Sequence, residues 1–207
     1  MEEMARLGDL ALKLEKYRSY IASALSWVVF GMIFGSLITL GSSLILFGFF
    51  DYRIFWILVA VAGVSGGFIY GKFLRMMPED REIRRRWNIG LIFLFVPFIV
   101  SYSVVPSIVH VSKLYYNVIW YPSLGFGLLL AGLYAERGEN YPIRSATYGG
   151  ILIVLTSLIL IPVSRLPVNS NVILASGLLC VSLMILIYFA VFIYVFFRAQ
   201  RVIYARR

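Results

Sequence analysis

Leu166-Pro-Val-Asn-Ser-Asn-Val-Ile-Leu-Ala-Ser-Gly-Leu-Leu-Cys-Val-Ser-Leu-Met-Ile-Leu-Ile-Tyr-Phe-Ala-Val-Phe-Ile-Tyr-Val-Phe-Phe197 contains no Asp, Glu, Lys or Arg. A helix crossing ~30 Å of hydrocarbon needs about 20 mostly apolar residues, and this run supplies them with some to spare. Five further runs, at 19–50, 54–71, 87–112, 114–135 and 145–164, are equally free of those four residue types. Lipid offers no partner to a free backbone N–H or C=O, so each run must cross as a helix unless protein shelters it. Strands of a membrane barrel alternate polar and apolar over roughly 10 residues; these runs do not alternate. The expected fold is all-α: a polytopic membrane protein with a six-helix transmembrane bundle over residues 20–198 and a basic cytoplasmic tail at 199–207.

Composition agrees with that reading. The chain has 207 residues, 61% hydrophobic and 14% charged, whereas a soluble domain runs near half apolar and about a quarter charged. One Cys and one His exclude a disulfide framework, a zinc site of several thiolates and bis-histidine haem ligation from this chain alone. No cofactor and no metal site are expected.

Basic residues between the runs set the orientation. Sixteen of the 19 Lys and Arg fall in one set of connections: Arg6, Lys13, Lys16, Arg18, Lys72, Arg75, Arg81, Arg84, Arg85, Arg86, Arg137, Arg144, Arg198, Arg201, Arg206 and Arg207. The opposite set holds only Arg53, Lys113 and Arg165. The positive-inside rule then places both termini in the cytoplasm of a multi-pass cell-membrane protein. Because these cations hug span ends and form no separate domain, contact with anionic lipid explains them better than nucleic acid does.

Residues 1–19 have a pattern of their own. Met4, Leu7, Leu10, Ala11, Leu14 and Tyr17 recur at helical spacing, with Arg6, Asp9, Lys13 and Lys16 around the rest of the wheel. An amphipathic helix along the inner membrane surface fits; docking against a partner subunit is the alternative. The acids in this segment and the length of the apolar run after it argue against a cleavable signal.

Three local features shape the spans. The run from Tyr20 to Phe50 exceeds what a bilayer needs, so the helix either tilts and protrudes or breaks near Gly41, Ser42 and Ser43. Pro97 and Pro106 each remove a backbone donor from span three and invite a kink. Pro78, Glu79 and Asp80 form a helix-start signal, after which Asp80 with Arg84 and Glu82 with Arg86 stand four apart in the favourable order. A charged helix start projecting inward results. Arg81, Arg84 and Arg85 are candidate docking residues for a cytoplasmic partner, although most such charge runs are simply solvated.

Glycines speak to packing. Gly31 with Gly35 and Gly67 with Gly71 stand four apart, while Gly125, Gly127, Gly132, Gly149 and Gly150 mark spans four and five. Small residues allow the close helix approach that replaces the hydrophobic drive in lipid. Span six has few of them and is expected to face lipid or a large apolar partner.

Chemistry-bearing residues are sparse. No ionisable Asp, Glu, Lys or Arg lies mid-span, where ion-coupled transporters and proton relays place them. His110 has no evident carboxylate or thiol neighbour, and Cys180 has no basic flank to activate it. Gly63-Val64-Ser65-Gly66, followed by Tyr70-Gly71, resembles the G-x-S-G helix start of rhomboid intramembrane proteases. That family needs a histidine two spans later as general base; span four has none, and His110 belongs to span three. Ser65 is therefore read as a small packing residue, and an enzyme is not expected.

Two function classes remain. The first is a transport or permease component driven by a partner such as a cytoplasmic ATPase, with Asp51, Arg53, His110, Lys113, Asn117 and Asn169 lining an outer entrance. The second is a structural or assembly subunit of a larger membrane complex. Both imply the lipid bilayer, and other membrane subunits or a second copy, as partners.

Overall fold

The computed structural model describes residues 2–46, 81–137 and 143–204, together with Ile57, Val61, Val64, Ser65, Phe68 and Lys72. Among them there is no strand. In chain order the elements are α1 (Glu2–Leu46), α2 (Arg81–Ile99), a π-helical segment (Val100–Val104), α3 (Val105–Ile108), α4 (Lys113–Val118), α5 (Trp120–Ala135), α6 (Ser145–Ser157), α7 (Leu160–Val163) and α8 (Ser170–Tyr204).

Four stretches of the described residues are long and apolar enough to cross a membrane: Arg6–Leu44, Arg85–Ile108, Ser145–Val163 and Ser170–Tyr204. Six were expected, and the difference has two origins. Most of span two lies outside the described residues. Span four is interrupted at Ile119, because Pro122 has no N–H to give the Val118 carbonyl. The helical bonds on either side persist, Ile119 N–H to Tyr115 O at 2.9 Å and Ser123 N–H to Ile119 O at 3.1 Å.

α1 is a single unbroken helix. It continues through Gly41, Ser42 and Ser43, where a break was one of two expectations. The opening segment at 1–19 is not set off as a surface helix either; from Glu2 it runs straight into span one. Met4, Leu7 and Leu10 are exposed on it, and Asp9 pairs with Lys13 at 3.1 Å.

The expected disturbance in span three is a π-helical segment between the two prolines. Val105 N–H reaches back five residues to Val100 O. In the same register Pro106 would donate to Ser101 O, but it has no hydrogen to give. The Tyr115 hydroxyl donates there instead, at 2.8 Å, and the Ser123 hydroxyl donates to Ser101 Oγ at 2.9 Å. The distortion is thus held from α4 and α5, and the Ser101 carbonyl has a donor in place of the one Pro106 lacks.

Gly31, Gly35, Gly125, Gly127, Gly132 and Gly149 sit at helix pairs within the chain. A Cβ on Gly31 would meet Tyr188 at 3.2 Å, and one on Gly35 would meet Ile185 at 2.6 Å, so α1 and α8 run antiparallel. Cβ atoms on Gly125 and Gly132 would press on Ile153 and Thr147, pairing α5 antiparallel with α6. One on Gly127 would fall 2.4 Å from the Leu94 carbonyl oxygen of α2, and one on Gly149 would meet Trp27 of α1 at 2.7 Å. Gly67 and Gly71 lie outside the described residues.

Span six has two faces. Leu186, Phe189 and Phe197 are exposed on α8, while Cys180, Val181, Met184, Ile187, Tyr188, Val191, Val195 and Ala199 are all buried on it. On α1, Gly31 admits Tyr188 and Gly35 admits Ile185. Trp27 meets Tyr188 edge-on at 4.9 Å. Away from these seams, large apolar side chains point outward, including Ile92 (65% exposed), Phe95 (59%) and Leu186 (64%). A surface of that kind suits lipid rather than water.

Candidate functional site

The antiparallel and parallel seams sort the chain ends. α6 runs alongside α1, with Ser23 Oγ 3.3 Å from Ser145 Oγ. α2 starts beside the end of α5, where the Arg86 guanidinium donates to the Arg137 carbonyl and to Glu82. One end of the bundle therefore gathers Arg18, Arg85, Arg86, Arg137, Arg144, Arg198 and Arg201. The other gathers His110, Lys113 and Arg165. The charge segregation read along the sequence becomes a segregation in space.

The four described outer-entrance residues, His110, Lys113, Asn117 and Asn169, lie at the second end, and two of them are bound up in structure. Asn117 Nδ2 donates to Ile173 O at 2.6 Å and to Ser176 Oγ at 3.1 Å, tying α4 to α8. Asn169 caps α8, its side-chain oxygen accepting from Val172 N–H at 2.8 Å. Such a cap satisfies one of the donors that every helix start leaves open. His110 and Lys113 are exposed, and Lys113 opens α4 after the Ser112 cap. Asp51 and Arg53 lie outside the described residues.

Of the candidate docking residues, all three fall on the first turns of α2. Arg85 is exposed; the side chains of Arg81 and Arg84 lie outside the described residues. The expected Glu82–Arg86 pair is present. Ser65, read as a small packing residue, is helical and exposed, as are Val61, Val64 and Phe68.

One residue that sequence reasoning passed over dominates the basic end. Glu136, directly after α5, is 2% exposed. Its carboxylate accepts from Ala146 N–H at 2.8 Å, Thr147 N–H at 3.0 Å, the Thr147 hydroxyl at 2.8 Å and the Ser145 hydroxyl at 3.5 Å. The two N–H groups are open donors of α6, which has no side-chain cap of its own at Arg144. Negative charge at a helix N-terminus is favoured by the aligned peptide dipoles. Burial pushes the Glu136 carboxyl above its ordinary 4.5, and the four hydrogen bonds pull it back only in part. A carboxylate so fully occupied clasps α5 to α6 and has no lone pair left for a substrate. The legible signal was an acid closing an apolar run, with Ser145-Ala-Thr147 opening the next.

The same end carries an open groove of about 450 Å³ on α8, lined by Tyr194, Phe197, Arg198, Gln200, Arg201 and Tyr204. Among the described residues no group of three or more His, Cys, Asp or Glu is placed to hold a metal ion. Comparison with protein-family profiles, with curated proteins and with solved structures finds no match.

Proposed function

We propose that this chain is a non-enzymatic, multi-pass integral membrane protein acting as a structural or assembly subunit of a larger membrane complex. The observation that carries the reading is the use of Asn117 and Asn169, whose side chains tie and cap helices where an outer entrance was expected. Its basic end lies at the cytoplasmic face, with both termini there. Support for six spans comes from chain direction: α1 ends at one end of the bundle and α2 begins at the other, so residues 47–80 must join the two.

A transport role keeps one observation in its favour, the exposed Arg85 at the start of α2, where a cytoplasmic ATPase would dock. Native purification in mild detergent, combined with thermal melting against a metabolite panel, separates the two. The assembly reading expects other membrane subunits to co-purify and no metabolite to move the melting temperature. A metabolite-dependent shift, with an ATPase whose capture is lost in Arg81→Ala/Arg84→Ala/Arg85→Ala, would replace it with transport.

A further inference from the structure

We infer that the groove on α8 at the basic end is a binding site for one membrane phospholipid with an anionic headgroup. The inference rests on the reading of the bundle as membrane-embedded. Arg198 is the first charge after the run at 166–197, so the groove straddles the boundary between hydrocarbon and headgroups. Its inner half is aromatic, Tyr194 and Phe197; its outer half carries Arg198 and Arg201, one turn apart on the same side of the helix. Neither guanidinium meets a carboxylate among the described residues.

The site is held rather than merely exposed. The Arg198 guanidinium lies over the Tyr194 ring, 5.6 Å from its centroid, and Tyr194 is braced edge-on by Tyr148 of α6 at 5.5 Å. On the opposite side of α8, Val195 and Ala199 are wholly buried in the core around α1. The helix therefore cannot roll its arginines away from the groove. Stacking on a ring leaves the in-plane N–H donors of Arg198 free for a phosphate, which a planar guanidinium binds with two parallel bonds. A volume of about 450 Å³ falls within the usual range for small-ligand sites. Charge and position select the occupant: a free anion would satisfy the arginines and leave the aromatic half unfilled, whereas a phospholipid fills both.

The test uses the full chain in phosphatidylcholine nanodiscs containing a minor fraction of phosphatidylglycerol, with retained lipid counted by native mass spectrometry. We expect one phosphatidylglycerol held about thirtyfold over phosphatidylcholine, the scale two surface cations provide. Arg198→Gln/Arg201→Gln should abolish the preference, and Arg201→Gln alone should weaken it several-fold, with the melting temperature unchanged in both. Arg85→Gln/Arg137→Gln, which removes the same charge from the same end, should leave the preference intact. Equal loss in both double variants, or displacement of the lipid by millimolar inorganic phosphate, would overturn the assignment. A chain that does not enter the nanodisc at all would instead overturn the membrane reading beneath it.

Discussion

Glu136 shows how much of this bundle depends on a single side chain. Replacing it with Ala leaves the Ala146 and Thr147 N–H groups buried without an acceptor, at about 1–3 kcal/mol each. Glu136→Ala should therefore lower the midpoint of SDS-induced unfolding sharply, and Glu136→Gln, which keeps one acceptor oxygen, should fall between it and the parent. The pH dependence has a defined sign. Since the native carboxyl titrates above 4.5, the folded state binds a proton that the unfolded chain has already released. Stability from this group thus rises as pH falls through the raised native value, is complete below 4.5, and is lost again on the way up. Melting of the parent in detergent should show this relative to Glu136→Gln. In the local sequence Glu136 is marked only by its place at the end of an apolar run. Its burial comes from the approach of α5 to α6, which Gly132 permits: a Cβ there would stand 2.5 Å from Thr147 N.

At the scale of elements, the legible part was what period and composition dictate. Among the described residues the uncharged runs are helical, Pro97 and Pro106 flank the one π-helical segment, and Gly31, Gly35, Gly125, Gly127, Gly132 and Gly149 mark seams. The role of α8 was not legible, because bulky Leu, Ile, Phe and Tyr suit lipid and a neighbouring helix equally well. Their complement lies far away in sequence, on α1. Two predictions belong here. Gly127→Ala sets a methyl against the backbone oxygen of Leu94 at 2.4 Å, so α2 and α5 must separate, at a cost of at least 1–3 kcal/mol. Gly31→Ala, facing a side-chain carbon at 3.2 Å, should cost distinctly less in the same unfolding assay. Tyr115→Phe removes the donor that serves Ser101 O in place of Pro106. The variant should lose about 1–2 kcal/mol and show faster amide exchange over residues 100–105.

For the whole molecule, the governing fact is that the ends of the bundle differ in charge. Cysteines placed at Arg85 and Arg201 should be labelled by a membrane-impermeant reagent from one side of the membrane, and a cysteine at Lys113 from the other. Labelling of positions 85 and 113 from the same side would overturn both the threading and the proposed orientation. The length of α1 carries a further consequence. From Glu2 to Arg18 the helix climbs ~24 Å along its axis, about three screening lengths at physiological salt, where each is near 8 Å. If the headgroups lie level with Arg18, as the proposed orientation has them, a charge placed at the tip of α1 is electrically blind to them, so ionic strength should tune what happens at Arg198 and Arg201 while leaving the far turns of α1 indifferent.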